Sequence, residues 1–84
     1  MDNELNELRR RCITSDMSKE AKEMFCYASS NFGREEFTRD KVELFWKWRT
    51  RMTVKELIRE YYFICIHGNF QINPRLLDEI ARGM

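Results

Sequence analysis

Tyr61-Tyr62-Phe63-Ile64-Cys65-Ile66-His67-Gly68-Asn69-Phe70-Gln71-Ile72 is the stretch whose reading decides the fold. Two readings compete for it. Upstream, Thr53-Val54-Lys55-Glu56 has the spacing of a capping box, and Met52 and Leu57 supply the matching hydrophobic staple. A helix launched there carries Val54, Leu57, Ile58, Tyr61, Ile64 and Cys65 on one face, and its second half is apolar all round, as a central buried element would be. The alternative is a hairpin. The run from Tyr61 to Ile66 is rich in aromatic and β-branched residues, and His67-Gly68-Asn69 can turn the chain into Phe70-Gln71-Ile72. The capping box and the lack of any third strand favour the helix, so residues 54–67 are expected to be helical and the fold all-α.

Working outward, the preceding helix is expected over 39–51. Phe37 and Val42 flank Thr38 as a staple, and the segment Phe45-Trp46-Lys47-Trp48-Arg49-Thr50-Arg51-Met52 interleaves aromatic and basic residues. At 100° per residue its apolar side chains spread over roughly 200° of the circumference, wider than one buried face needs. That breadth implies neighbours on two sides, or a tryptophan turned to a partner. Downstream, Asn73-Pro74 reads as a cap followed by a first-turn proline, opening a last helix over 74–82 with Leu76, Leu77 and Ile80 as its stripe and Ile72 as staple partner of Leu77. Towards the N-terminus, Asp2 or Asn3 caps a helix over 3–12. A second helix over 16–31 carries Met17, Ala21, Met24, Phe25 and Ala28 on one side and ends at Gly33. The expectation is one small helical domain spanning 1–84, a compact bundle of about five short helices able to dimerise.

Composition narrows the function. Fifteen basic and fourteen acidic residues leave a formal net charge of +1, so any electrostatic role is local. With 84 residues and 43% hydrophobic content the chain suits a single small core. Cys12, Cys26 and Cys65 are odd in number and widely spaced, which fits neither a disulfide framework nor a zinc site. Reduced thiols in a complete, soluble, intracellular protein (cytoplasmic or nuclear) are expected. The N-terminus is acidic and polar, unlike a signal peptide.

Catalytic signatures are missing. The chain has no P-loop, no GxGxxG, no HExxH and no nucleophile elbow, and a single histidine, His67. Cys65 and His67 could evoke a nucleophile pair, but two apart on a helix they would diverge. Glu35-Glu36 and Asp78-Glu79 are adjacent acids that suit a solvated surface. No catalytic residue, metal site, cofactor or small-molecule substrate is expected.

Two non-enzymatic functions remain. The first is an interaction or regulatory protein, self-associating or binding another protein through an aromatic surface of Trp46, Trp48 and Tyr62, since interfaces concentrate Trp, Tyr, Met and Arg. The second is binding of an RNA or DNA backbone by Lys47, Arg49, Arg51, Lys55 and Arg59, with Arg9, Arg10 and Arg11 nearby, in the manner of a viral or regulatory accessory protein. The bland reading places Arg9-Arg10-Arg11 in a last helical turn, where cations favour the dipole, and lets Glu43, Glu56 and Glu60 dilute the basic face. Asn31-Phe32-Gly33-Arg34-Glu35-Glu36-Phe37, with Thr53-Val54-Lys55-Glu56-Leu57 and Tyr61-Tyr62-Phe63, resembles the helix ends of SANT/Myb-like domains over under half of the chain. The interval between the pieces is longer, the tryptophans fall in another helix and a basic recognition helix is missing, so no expectation is taken from it.

Overall fold

Asp2 caps the first helix, its carboxylate accepting from the Leu5 N–H at 3.1 Å. The computed structural model describes residues 2–46 and 49–83, with side chains for all of these except residues 44–46. The elements are α1 (Asn3–Ile13), α2 (Lys19–Asn31), α3 (Arg39–Trp46), α4 (Thr50–Arg59), β1 (Phe63–Ile66), β2 (Asn69–Ile72) and α5 (Pro74–Gly83). Helices dominate, as expected, but the fold is not all-α. The expected helix over 54–67 stops at Arg59, and residues 63–72 form the antiparallel hairpin β1–β2.

The reason lies at Tyr61. It takes a left-handed conformation (φ 67°) just past the end of α4. The Tyr61 N–H donates to the Ile58 carbonyl at 3.0 Å and the Tyr62 N–H to the Leu57 carbonyl at 2.9 Å, which is the paired closure of a Schellman helix end. At the hairpin tip His67 (φ 51°) and Gly68 (φ 84°) are both left-handed, as a two-residue type I′ turn requires. The register pairs Phe63 with Ile72, Ile64 with Gln71, Cys65 with Phe70 and Ile66 with Asn69. Side chains alternate across the sheet, so Phe63 and Ile72 enter the core together.

The expected obstacle, the lack of a third strand, disappears because that strand is one residue long. Phe37, in the loop between α2 and α3, exchanges both backbone bonds with Phe70, each at 2.8 Å. Around this bridge the rings connect. Phe37 stacks on Phe32 (4.8 Å between centroids) and meets Phe63 edge-on (5.3 Å), and Phe63 lies 6.0 Å from Phe25. Phe25 and Phe63 are fully buried and join Leu8, Met24, Val42, Leu57, Ile72 and Leu77 in one core drawn from all five helices and the hairpin. Burying a phenylalanine contributes about 1.5–3 kcal/mol, so this cluster is the main driving force.

Several boundary signals sit where the sequence places them, and others are corrected: α3 ends by Trp46 rather than at residue 51, and α4 begins at Thr50 rather than at residue 54. Asn73 caps α5, accepting from the Arg75 N–H at 3.0 Å, while its side-chain amide donates to the Tyr61 carbonyl at 2.8 Å. Gly33 is left-handed (φ 59°) after α2. The Thr53/Glu56 capping box does not form, because α4 already begins at Thr50; the Thr53 hydroxyl donates instead to the Arg49 carbonyl at 2.9 Å. Glu56 completes a capping box on a different helix. Its carboxylate accepts from the Ser18 N–H (2.8 Å) and hydroxyl (2.6 Å), while Ser18 caps α2 by accepting from the Ala21 N–H at 3.1 Å. The second helix therefore starts at Lys19 rather than at residue 16.

This reciprocal cap predicts coupled mutants. Glu56→Ala and Ser18→Ala should each lower the unfolding free energy by about 1–2 kcal/mol. In a urea-denaturation double-mutant cycle the pair should couple by about 1 kcal/mol, whereas additive losses would show that the cap carries no tertiary energy.

Candidate interaction surface

The residues proposed for binding fall into three groups. The arginine run of α1 is engaged locally. Arg9 donates from Nε to the buried Ser29 hydroxyl at 2.9 Å, tying α1 to α2, while Arg10 and Arg11 both lie against Glu7. Arg10 and Arg11 keep exposed side chains beyond these bonds. At the opposite end of α1 the Arg34 guanidinium grips Asp2 and holds its carboxyl below the usual carboxylate range. That clamp is complete at neutral pH and is lost as the pH falls through the lowered value.

The second group lies on α4. Thr50, Thr53, Val54 and Leu57 are buried, which leaves Arg51, Lys55 and Arg59 on the exposed face at intervals of four. At 100° per residue these three lie within about 80° of each other, a single ridge. Glu56 is drawn off this face by Ser18, and Arg51 and Lys55 have no salt-bridge partner among the described residues. Arg59 lies 3.8 Å from Glu60, and Arg49 pairs with Glu20 of α2. Between α2 and α4 a shallow cleft of about 350 Å³ is lined by Glu20, Arg49, Met52 and Arg59, with Met52 69% exposed. Lys47 and Trp48 lie outside the described residues, as does the side chain of Trp46.

The third group surrounds the hairpin. Tyr62 is half-buried with its ring edge-on to Phe25 at 5.3 Å, so much of it belongs to the core margin, and burial raises its phenol pKa. Its neighbour Tyr61, expected on the apolar face of a helix over 54–67, lies beyond the end of α4 and faces solvent instead. It is 71% exposed, the largest exposure among the big apolar side chains described. A groove of about 580 Å³ runs beside it, lined by Ile64, Pro74 and Leu76 and edged by Arg75 and Glu79. The signal that could have located it is positional. A tyrosine directly after a helix end, where glycine is the costless residue, marks a site held for a reason other than helix termination.

The thiols separate cleanly. Cys12 is buried and its pKa is pushed up to about 12, first by burial and then by the nearby Cys26. Cys65 is exposed on β1. Because residues 63–67 are strand and turn, the helical argument separating Cys65 from His67 no longer applies; no hydrogen bond joins them among the described residues. No group of His, Cys, Asp or Glu among the described residues could hold a metal ion, and none of the described helices is long and apolar enough to cross a membrane. Comparison with protein-family models, curated proteins and solved structures finds no match for the chain.

Thiol accessibility gives a direct check on this surface. A maleimide should modify Cys65 first, Cys26 more slowly and Cys12 only on unfolding, as read by peptide mass spectrometry over time. Rapid labelling of Cys12 in the native protein would contradict the packing of α1 described above.

Proposed function

We propose that the chain is a non-enzymatic interaction protein that self-associates through the face built from the end of α4, the hairpin and the start of α5. The observation that carries this reading is Tyr61, exposed and held left-handed beside an apolar groove. A left-handed non-glycine residue costs about 1–2 kcal/mol. Glycine would close the same helix end without that cost, so the position is held for the tyrosine side chain. Tyrosine, isoleucine and leucine ringed by single charges are the make-up of an interface centre and its rim. A regulatory role follows if association presents or hides the cationic ridge of α4. Trp48 and the side chain of Trp46, first expected to meet a partner, lie outside the described residues, and the reading rests on Tyr61 instead.

A second reading has its own support. With Glu56 turned to Ser18, the ridge Arg51–Lys55–Arg59 is less diluted by acid than the sequence implies, and a basic helical ridge suits a nucleic-acid backbone. Three phosphate contacts would give a log–log salt dependence no steeper than about −3.

Two measurements follow. Sedimentation from micromolar to millimolar protein should show reversible self-association, weakened several-fold by Tyr61→Gly even as that substitution raises the unfolding free energy by about 1 kcal/mol. A strict monomer throughout would refute the primary reading. In a gel shift at low salt, loss of a nucleic-acid complex in Arg51→Glu/Lys55→Glu would support the second reading, and no complex at all would remove it.

A further inference from the structure

The hairpin has one pairing edge used and one open. Asn73 donates from its backbone N–H to the Tyr62 carbonyl at 2.9 Å, so Tyr62 and Asn73 form a hydrogen-bonded pair. In an antiparallel ladder such pairs alternate, which makes Ile64–Gln71 and Ile66–Asn69 hydrogen-bonded and turns the backbone groups of Phe63, Cys65, Phe70 and Ile72 outward. The bridge from Phe70 to Phe37 confirms the phase on the β2 side. On the β1 side, no backbone hydrogen bond reaches the N–H or carbonyl of Cys65 among the described residues. Phe63 is only 1% exposed, so the reachable part of this edge is centred on Cys65.

We propose that a second copy of this chain occupies the open edge, its β1 pairing antiparallel with β1 about a two-fold axis at Cys65. This rests on the self-association read above and specifies its geometry. The occupant must be an extended strand, because the unpaired groups are backbone groups in strand geometry. A second β1 is the strand that fits. It carries no charge and no proline, so neither of those two edge-blocking devices is present, and placing it against itself opposes no like charges. With the axis at Cys65, each Cys65 exchanges its N–H and carbonyl with Cys65 of the second copy, and Ile64 lies opposite Ile66 of the second copy on the outer face. Both isoleucines are half-exposed in the single chain, and β-branched cross-strand pairs are favourable partners. Pairing would extend the two-stranded sheet across the axis and carry Tyr61 towards the hairpin tip of the second copy.

The test uses the full chain and Cys65→Lys, which sets two lysines directly opposite each other at an exposed position that a single chain tolerates. Sedimentation should show the dissociation constant raised at least about tenfold, with the circular-dichroism spectrum and Tm of the monomer retained. Cys65→Ser, which adds no charge, should associate like the unmodified chain. Hydrogen exchange should show the Cys65 amide protected at high protein concentration and fast at low concentration. A dimer whose Cys65 amide exchanges fast at every concentration, or that Cys65→Lys leaves intact, would overturn this pairing while self-association stands. A strict monomer would overturn both.

Discussion

The reciprocal backbone pairing of Phe37 with Phe70 is the contact on which the rest of this structure depends. A two-residue-turn hairpin alone is marginal in water. Here it is tied to the helical layer by two 2.8 Å bonds set among the rings of Phe32, Phe63 and Phe70. Buried backbone groups left unpaired would each cost about 1–3 kcal/mol, so slipping the hairpin by one residue would expose Phe63 and orphan this bridge together. One loop residue thus fixes the register of β1 and β2, and through Ile72 and Asn73 the entry of α5.

The hairpin also explains why α4 is short. A helix running on to residue 67 would bury an element apolar on every side, and α4 has α2 and α3 as its helical neighbours. Turning left-handed at Tyr61 instead splits that apolar run by the two-residue period of a strand. Phe63 goes inward against Phe25, and Ile64 and Ile66 face outward. The conformational cost at Tyr61, ~1–2 kcal/mol, is offset by the aromatic burial that follows it, about 1.5–3 kcal/mol for Phe63.

Much of this was legible in the sequence, and the misses have physical causes. Asp2, Gly33 and the Asn73-Pro74 start of α5 were readable because capping chemistry is local. So were the buried stripes Leu5–Leu8–Cys12 and Ala21–Met24–Phe25–Ala28. Residues 63–72 were readable as a hairpin, and local composition pointed to it; the argument against it failed because its third strand is the single residue Phe37, which no periodicity can reveal. Glu56 was assigned to the nearer of two possible caps, Thr53, whereas its partner Ser18 lies 38 residues away. For the candidate surface, the cations Arg51, Lys55 and Arg59 were named from the sequence but divided between two expected helices, and α4 joins them in one ridge; in α1 the Glu7 pairs lie at legible i+3 and i+4 spacings, whereas the Arg9–Ser29 bond does not show in spacing. Tyr61 was placed on the apolar face of the expected helix over 54–67, and its exposure follows only from the helix ending at Arg59.

Fold and proposed function meet at the same place. The turn that ends α4 puts an aromatic side chain in solvent, and the strand that follows leaves one edge unpaired, so the device that closes the core also creates the surface available for association. The most direct measurement of the central claim is residue-resolved hydrogen exchange at the Phe37 and Phe70 amides. Both should fall in the slowest class and exchange only with global unfolding, alongside the core amides of α2. Fast exchange at Phe70 while α2 stays protected would show that the hairpin is not pinned to the helical layer, and the account of this fold would fail.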